Sequence, residues 1–123
     1  MRIGDLASRA GVSPRALRYY EDQGLLASQR TPGGQRTYAE AAVDRVRLIQ
    51  QLYAAGLSST TIFGLMPCVY AGVSTPDSLA RLALERERID VQIGELVATR
   101  DRLDAVIASA ADHMEEQLPA RAS

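Results

Sequence analysis

The chain contains no lysine, only one cysteine and no long run of apolar residues. A membrane-spanning helix needs ~20 mostly apolar residues, and no stretch approaches that length. The single cysteine, Cys68, excludes an intrachain disulfide and a cysteine cluster held by one chain. The start Met1-Arg2-Ile3-Gly4-Asp5 lacks the apolar core of a secretory signal, so we expect a cytoplasmic protein that does not enter a membrane.

Enzymatic motifs are also missing from the sequence. The chain has one histidine and one cysteine, and it shows no paired nucleophile and base, no phosphate-binding loop and no metal motif. We therefore expect no catalytic residue, no cofactor and no metal site. A binding or regulatory function is favoured over an enzyme.

All fourteen basic residues are arginine, and their distribution is uneven. Residues 1–50 carry eight arginines against five acids, a formal +3, whereas residues 51–123 carry six against ten, a formal −4. The net charge of −1 therefore conceals a basic N-terminal half. Arginine suits bidentate contacts with phosphate and guanine, although a GC-rich genome would produce the same bias.

Two short helices separated by a turn are predicted at the N-terminus. Residues 3–10 have a helical period, which Gly11-Val12-Ser13 breaks. Ser13 suits the N-cap of a second helix from Pro14 to about Gln23. This is the layout of a helix-turn-helix unit, although a helical hairpin without any DNA role has the same pattern. The residues expected in its core are Ile3, Leu6, Val12, Leu17, Leu25 and Leu26.

The second helix and the segment after it carry the candidate DNA contacts. On the helix, Arg15, Arg18 and Tyr19 or Tyr20 supply cationic and hydroxyl donors, which meet phosphates and base edges. The helical period is then lost, and Thr31-Pro32-Gly33-Gly34 is a strong turn signal.

This turn predicts a β-hairpin wing with Arg30 before it and Arg36 after it. Such a wing can lie along the phosphate backbone or reach into the minor groove. The alternative is a solvated surface loop.

Three further helices are predicted. One begins near Ala39 and ends at Gly56, and the next starts with a serine cap after Leu57 and is interrupted by Pro67. The last begins in the capping sequence Ser74-Thr75-Pro76-Asp77. The first two of these three helices resemble a second, degenerate helix-turn-helix.

A heptad pattern runs from Leu79 to Met114 in the last helix. Its a positions are Leu79, Arg86, Ile93, Arg100, Ile107 and Met114, and its d positions are Leu82, Ile89, Leu96, Leu103 and Ala110. The pattern predicts a two-stranded coiled coil joining two chains, with a helix packed back on its own domain as the alternative. The arginines Arg86 and Arg100 would fix the register or bury their stems.

The motifs resemble the signature of the MerR family of bacterial transcription regulators. They are Arg18-Tyr19-Tyr20-Glu21, Gly24-Leu25-Leu26, Arg30, Gly34, Arg36 and Tyr38, and Gln35 departs from the tyrosine that the family usually has there. The resemblance implies a mainly α fold. A winged helix-turn-helix DNA-binding head with a small β-hairpin wing is expected over residues 1–72. A long C-terminal antiparallel coiled-coil dimerisation helix is expected over residues 73–118, and a disordered tail over residues 119–123.

The resemblance also implies a function. Such regulators are homodimers that bind a palindromic operator in a promoter and, in the effector-bound state, bend and untwist the DNA for RNA polymerase. Expected DNA contacts are Arg15, Arg18, Tyr19, Arg30 and Arg36, with Tyr20 and Tyr38 as phosphate-binding or packing tyrosines. The expected dimerisation residues are Leu79, Leu82, Ile89, Ile93, Leu96, Leu103 and Ile107.

An effector is not fixed by the resemblance. Metal-sensing members carry a Cys where the long helix starts and further Cys or His just after its end, and the iron–sulfur members carry four Cys after it; this chain has neither set. Cys68 is either a redox- or electrophile-sensing thiol or a small buried apolar residue. A Cys68–His113 pair between subunits would offer too few ligands for a tight metal site. The alternative is an effector-independent or architectural DNA-binding protein.

Overall fold

The computed structural model describes residues 1–70, 72 and 74–117. Over these residues the elements follow the order α1 (Ile3–Ala10), α2 (Pro14–Asp22), β1 (Gln29–Arg30), β2 (Arg36–Thr37), α3 (Ala42–Ala54), α4 (Ser59–Tyr70) and α5 (Pro76–Gln117). The fold is mainly helical with a small antiparallel hairpin and a long C-terminal helix, as the sequence predicts.

The chain forms two compact units, Met1–Leu82 and Ala83–Ser123. The first unit contains α1 to α4, the hairpin and the first turns of α5, and we call it the head. The predicted domain boundary after residue 72 stays a prediction.

The predicted turn between α1 and α2 depends on two local devices. Gly11 ends α1 with φ 72°, a left-handed conformation that glycine adopts without steric cost, and its N–H donates to the Ala7 carbonyl. Ser13 caps α2, because its side-chain oxygen accepts the Ala16 N–H at 3.1 Å. The helix-turn-helix geometry is therefore encoded locally.

Two features of the end of α2 favour glycine there. Gly24 has φ 74°, and a Cβ at this position would lie 3.0 Å from Cε2 of Phe63. Its N–H donates to the Glu21 carbonyl at 2.9 Å, while the Leu25 N–H donates to the Tyr20 carbonyl at 2.9 Å. These bonds close the last turn of α2 and direct the chain toward the hairpin.

The predicted wing is a two-stranded antiparallel hairpin in which Gln29 pairs with Thr37 and Arg30 with Arg36. Its turn is held by its own backbone: the Thr31 N–H donates to the Gln35 carbonyl at 2.7 Å, and the Gly34 N–H donates to the Thr31 carbonyl at 2.8 Å. With two residues in each strand, such a hairpin is only marginally stable without support from the rest of the fold.

Helix α4 corrects one expectation. Pro67 does not interrupt the helix, which continues to Tyr70. A proline deprives the carbonyl four residues earlier, that of Phe63, of its helical partner. Both residues are exposed, so water can satisfy that carbonyl and the helix tolerates the lost bond.

The start of α4 has the expected serine cap, with the Ser58 side-chain oxygen accepting the Thr61 N–H at 3.2 Å. Helix α3 begins at Ala42, three residues after its predicted start.

The core of the head lies among its helices. Its fully buried large side chains are Leu6, Leu17, Leu25, Val46, Ile49 and Ile62. Four of the six residues expected in the helix-turn-helix core are buried: Leu6, Leu17, Leu25 and Leu26. Ile3 and Val12 are only half-buried, because the first begins α1 and the second lies in the turn.

Helix α5 begins with a reciprocal cap, in which the Ser78 N–H donates to Oγ1 of Thr75 at 3.1 Å and the Thr75 N–H donates to Oγ of Ser78 at 2.8 Å. It has 42 residues, which corresponds to a length of about 63 Å at ~1.5 Å per residue. None of its residues is buried. The predicted tail, residues 119–123, lies outside the described residues.

A helix that crosses a bilayer must be both long and mostly apolar. In the described ranges, none combines the length and the apolar character that crossing a bilayer demands.

The Ser13 cap can be tested by its effect on stability. We expect Ser13→Ala to lower the free energy of unfolding by about 1 kcal/mol, because the Ala16 N–H loses its partner. Ser8→Ala, on the exposed face of α1, is the control and should change stability by no more than a few tenths of a kcal/mol. Urea unfolding followed by circular dichroism measures both, and equal midpoints for the two variants would contradict the capping role.

Candidate nucleic-acid interface

A cleft of about 610 Å³ opens between the start of α1, helix α2 and the wing. It is lined by four arginines from three elements, together with a few other residues of α1 and the wing: Arg2, Arg18, Arg30, Arg36, Ile3, Gly34 and Gln35. We call this feature the basic cleft. The fold thus brings together three of the arginines that the sequence singled out and adds a fourth.

The fourth arginine, Arg2, was missed by the sequence analysis. It joins the basic cleft because Met1 pairs with Tyr38 at the end of the wing. The Tyr38 N–H donates to the Met1 carbonyl at 2.7 Å, and the Met1 amino group donates to the Tyr38 carbonyl at 3.1 Å. This pairing spans 37 residues, so no local pattern in the sequence signals it.

Helix α2 presents two unengaged cations. Arg15 and Arg18 lie three residues apart, so they share one helical face, and both are exposed. Over the described part of the chain, neither makes a salt bridge or a side-chain hydrogen bond. Their guanidinium groups are therefore available to an anion.

The wing arginines are partly engaged. Nη1 of Arg30 donates to the Gly34 carbonyl at 3.2 Å, and Nη1 of Arg36 lies 3.4 Å from Oε2 of Glu21 on α2. A guanidinium has five N–H donors, so each keeps donors for another acceptor. Both contacts orient the arginines at the rim of the basic cleft.

Tyr38 and Tyr20 belong to the core of the head. Tyr38 is buried, and its hydroxyl donates to Oε1 of Glu21. Burial, followed by the hydrogen bond to Glu21, raises the pKa of Tyr38 to about 12, so its hydroxyl stays a donor. The buried Tyr20 ring stacks on Tyr53 with 5.8 Å between centroids. Of the two roles expected for these tyrosines, their burial supports packing.

Tyr19 has a different position from its neighbour. Its side chain is about half exposed, and its hydroxyl lies 3.2 Å from Oγ of Ser59 at the start of α4. Tyr53 contacts the same serine oxygen. Tyr19 therefore connects α2 with α4 while part of its ring remains accessible.

The remaining predicted residues lie on α4 and α5. Cys68 is half-buried on α4. Five seam residues expose more than half of their surface, namely Leu79, Ile93, Leu96, Leu103 and Ile107, while Leu82 and Ile89 are half-buried. Within the described ranges, no three His, Cys, Asp or Glu side chains are grouped as metal ligands.

A second cleft, of about 380 Å³, lies at the base of the wing. The arginine that lines this cleft, Arg45, donates from Nε to the Leu25 carbonyl at 2.9 Å, and its Cζ lies 4.5 Å from the centroid of the Tyr70 ring. Arg45 is thus held by the head itself, in contrast to Arg15 and Arg18.

The sequence of this chain is similar to those of known proteins. The family model described as MerR HTH family regulatory protein matches residues 1–67. The chain is 40% identical over 121 residues to the nodulation protein NolA of Bradyrhizobium elkanii, covering 97% of this chain and 52% of NolA. It is 38% identical over 111 residues to a homologue of the transcriptional activator SoxR from Chromobacterium violaceum, covering 85% and 72%. The chain spans about half the length of the NolA proteins that it matches.

Solved structures share the fold. A regulator from Listeria monocytogenes, described as a putative MerR family member, superposes with a TM-score of 0.82 at 24% identity, covering 94% of this chain and 89% of that one. HiNmlR, described as a MerR family regulator lacking the sensor domain and bound to promoter DNA, has a TM-score of 0.80 at 25% identity, with coverage of 93% and 92%.

The family model covers more than half of the chain, and the SoxR homologue is matched over more than two thirds of its length. The winged helix-turn-helix head and the long last helix agree with both structures. The chain therefore belongs to the MerR family of DNA-binding transcription regulators.

Proposed function

We propose that the protein is a homodimeric, sequence-specific regulator that binds a palindromic operator in a promoter. The observation that carries this proposal is the basic cleft, where four arginines converge at the junction of α1, α2 and the wing. Such a cluster suits the phosphate backbone, which dominates the affinity of DNA-binding proteins. The promoter DNA bound to HiNmlR supports the same partner.

Within one half-site, α2 is the reading helix. Arg15, Arg18 and Tyr19 face outward from it, and arginine forms bidentate contacts with guanine in the major groove. Arg30 and Arg36 of the wing, together with Arg2, supply contacts to the phosphate backbone. The side chains of α2 read the base sequence, and the other arginines fix the position of the protein on the DNA.

Dimerisation is assigned to α5. The helix exposes ten large apolar side chains: Leu79, Leu84, Val91, Ile93, Leu96, Val97, Leu103, Val106, Ile107 and Met114. Most of them belong to the predicted heptad seam, which an antiparallel partner helix would bury. A symmetric dimer then presents two heads to two inverted half-sites.

The proposed mechanism is deformation of the promoter. Two heads on one coiled coil hold two half-sites at a fixed separation, so the DNA between them must bend and untwist to fit. Smooth bending of a site of ~20 to 30 base pairs costs roughly 1 to 6 kcal/mol, which added contacts can offset. Realigned promoter elements would then be read by RNA polymerase, so the protein acts in the bacterial cytoplasm.

The alternative is an effector-independent or architectural DNA-binding protein. The two functions differ in whether the state of Cys68 or a small effector changes transcription. In-vitro transcription with the thiol reduced, oxidised or alkylated, and with a panel of metabolites and metals, separates them. Unchanged output across all conditions would favour the alternative.

The reading helix is tested by Arg18→Ala. We expect a loss of operator affinity of at least tenfold, because each bidentate base contact contributes roughly 1 to 3 kcal/mol and the dimer has two copies. The control is Arg102→Ala, which removes the same charge from an exposed site on α5. Footprinting on DNA upstream of the protein's own gene measures both, and an unchanged footprint for Arg18→Ala would refute the assignment.

The dimer is tested by replacing both Leu96 and Leu103 with Asp. Charges at two seam positions should produce monomers that bind the operator weakly, because each head then binds its half-site independently. Leu84→Asp changes an equally exposed leucine outside the seam and should leave the dimer intact. Sedimentation velocity measures the mass, and a persistent dimer in the double variant would show that the seam is wrongly assigned.

A further inference from the structure

One carboxylate joins the wing to the reading helix. Glu21 lies in the last turns of α2, and its side chain is only 14% exposed. Oε1 accepts the Tyr38 hydroxyl, and Oε2 lies 3.4 Å from Nη1 of Arg36. Tyr38 and Arg36 both follow the turn of the wing, so Glu21 contacts the returning half of the hairpin at two points.

In the part of the chain that the structure describes, the other hydrogen bonds of the wing do not involve α2. Its turn bonds, from Thr31 to Gln35 and from Gly34 to Thr31, are internal to the hairpin. The pairing of Tyr38 with Met1 ties the end of the wing to the start of α1. Neither set of bonds reaches α2. The contacts of Glu21 do, and they join the wing directly to the reading helix.

A negative charge at this place needs an explanation. A carboxylate beside the basic cleft weakens the attraction for phosphates by simple Coulombic repulsion. The compensating effect is geometric, because the ion pair with Glu21 holds the Arg36 guanidinium near α2 before DNA arrives. An arginine that is ordered in advance loses less side-chain entropy on binding.

We propose that Glu21 is a positioning residue for operator recognition. It holds the wing at the distance from α2 at which Arg36 and Arg18 engage the same half-site together. The inference rests on the proposed DNA-binding function and deepens it, because it assigns part of the operator specificity to a residue that need not touch DNA.

The proposal predicts different effects on the affinity for the operator and on the affinity for random DNA. If Glu21 acts only through its charge, Glu21→Gln should strengthen binding to every DNA sequence alike. If Glu21 positions the wing, Glu21→Gln should weaken operator binding and leave binding to random DNA unchanged or slightly stronger. We expect the ratio of operator to random-sequence affinity to fall by roughly tenfold, the size of one lost specific contact.

The test compares Glu21→Gln with Asp22→Asn in the full chain. Asp22 is the exposed neighbour on the same helix, so the control removes the same charge without touching the wing. Fluorescence anisotropy at fixed salt, with operator and random duplexes, gives the ratio, and circular dichroism confirms that each variant is folded. Hydroxyl-radical footprinting should show protection lost at the phosphates facing the wing and kept where α2 binds.

The outcomes are distinct. A reduced ratio for Glu21→Gln and an unchanged ratio for Asp22→Asn support the proposal. An unchanged ratio, or an equal gain for both duplexes, overturns it. If Glu21→Gln does not fold, Tyr38→Phe keeps the buried ring and removes only the hydroxyl, and an unchanged ratio in that variant overturns the proposal. A wild-type chain without any operator preference would instead refute the proposed function.

Discussion

The anchoring of a very short hairpin is the constraint on which the basic cleft depends. Each strand of the wing has two residues, too few to hold a fixed position without help. Tyr38 anchors the wing in three ways: its ring is buried in the head, its backbone pairs with Met1, and its hydroxyl donates to Glu21. Without this anchor, the arginines of the wing would have no defined separation from those of α2.

The charge of the chain is divided between its parts. An overall charge of −1 would oppose DNA binding if it were uniform. Four of the arginines converge on one cleft of the head, while most acids lie in the second half of the sequence. The net charge of the whole chain therefore says little about the local charge of the basic cleft.

Much of the fold follows from local signals. Ser13, Gly11 and Gly24 encode the helix ends, and the Thr31–Gly34 turn encodes the wing, so these elements were predictable from short segments. The continuation of α4 beyond Pro67 could not be predicted in this way, because a helix tolerates an unpaired carbonyl only where the folded head leaves it exposed. Arg2 and Glu21 were not predicted as site residues for a related reason: the contacts that place them beside the wing join residues 37 and 17 positions apart.

The predicted seam of α5 has a consequence for how operator occupancy depends on protein concentration. A helix of 42 residues with none buried gains little stability from its own chain. In the proposed dimer, pairing and DNA occupancy are therefore linked, and at low abundance the occupied fraction of the operator rises with the square of protein concentration. Small changes in expression would then produce a steep transcriptional response, even with no effector bound.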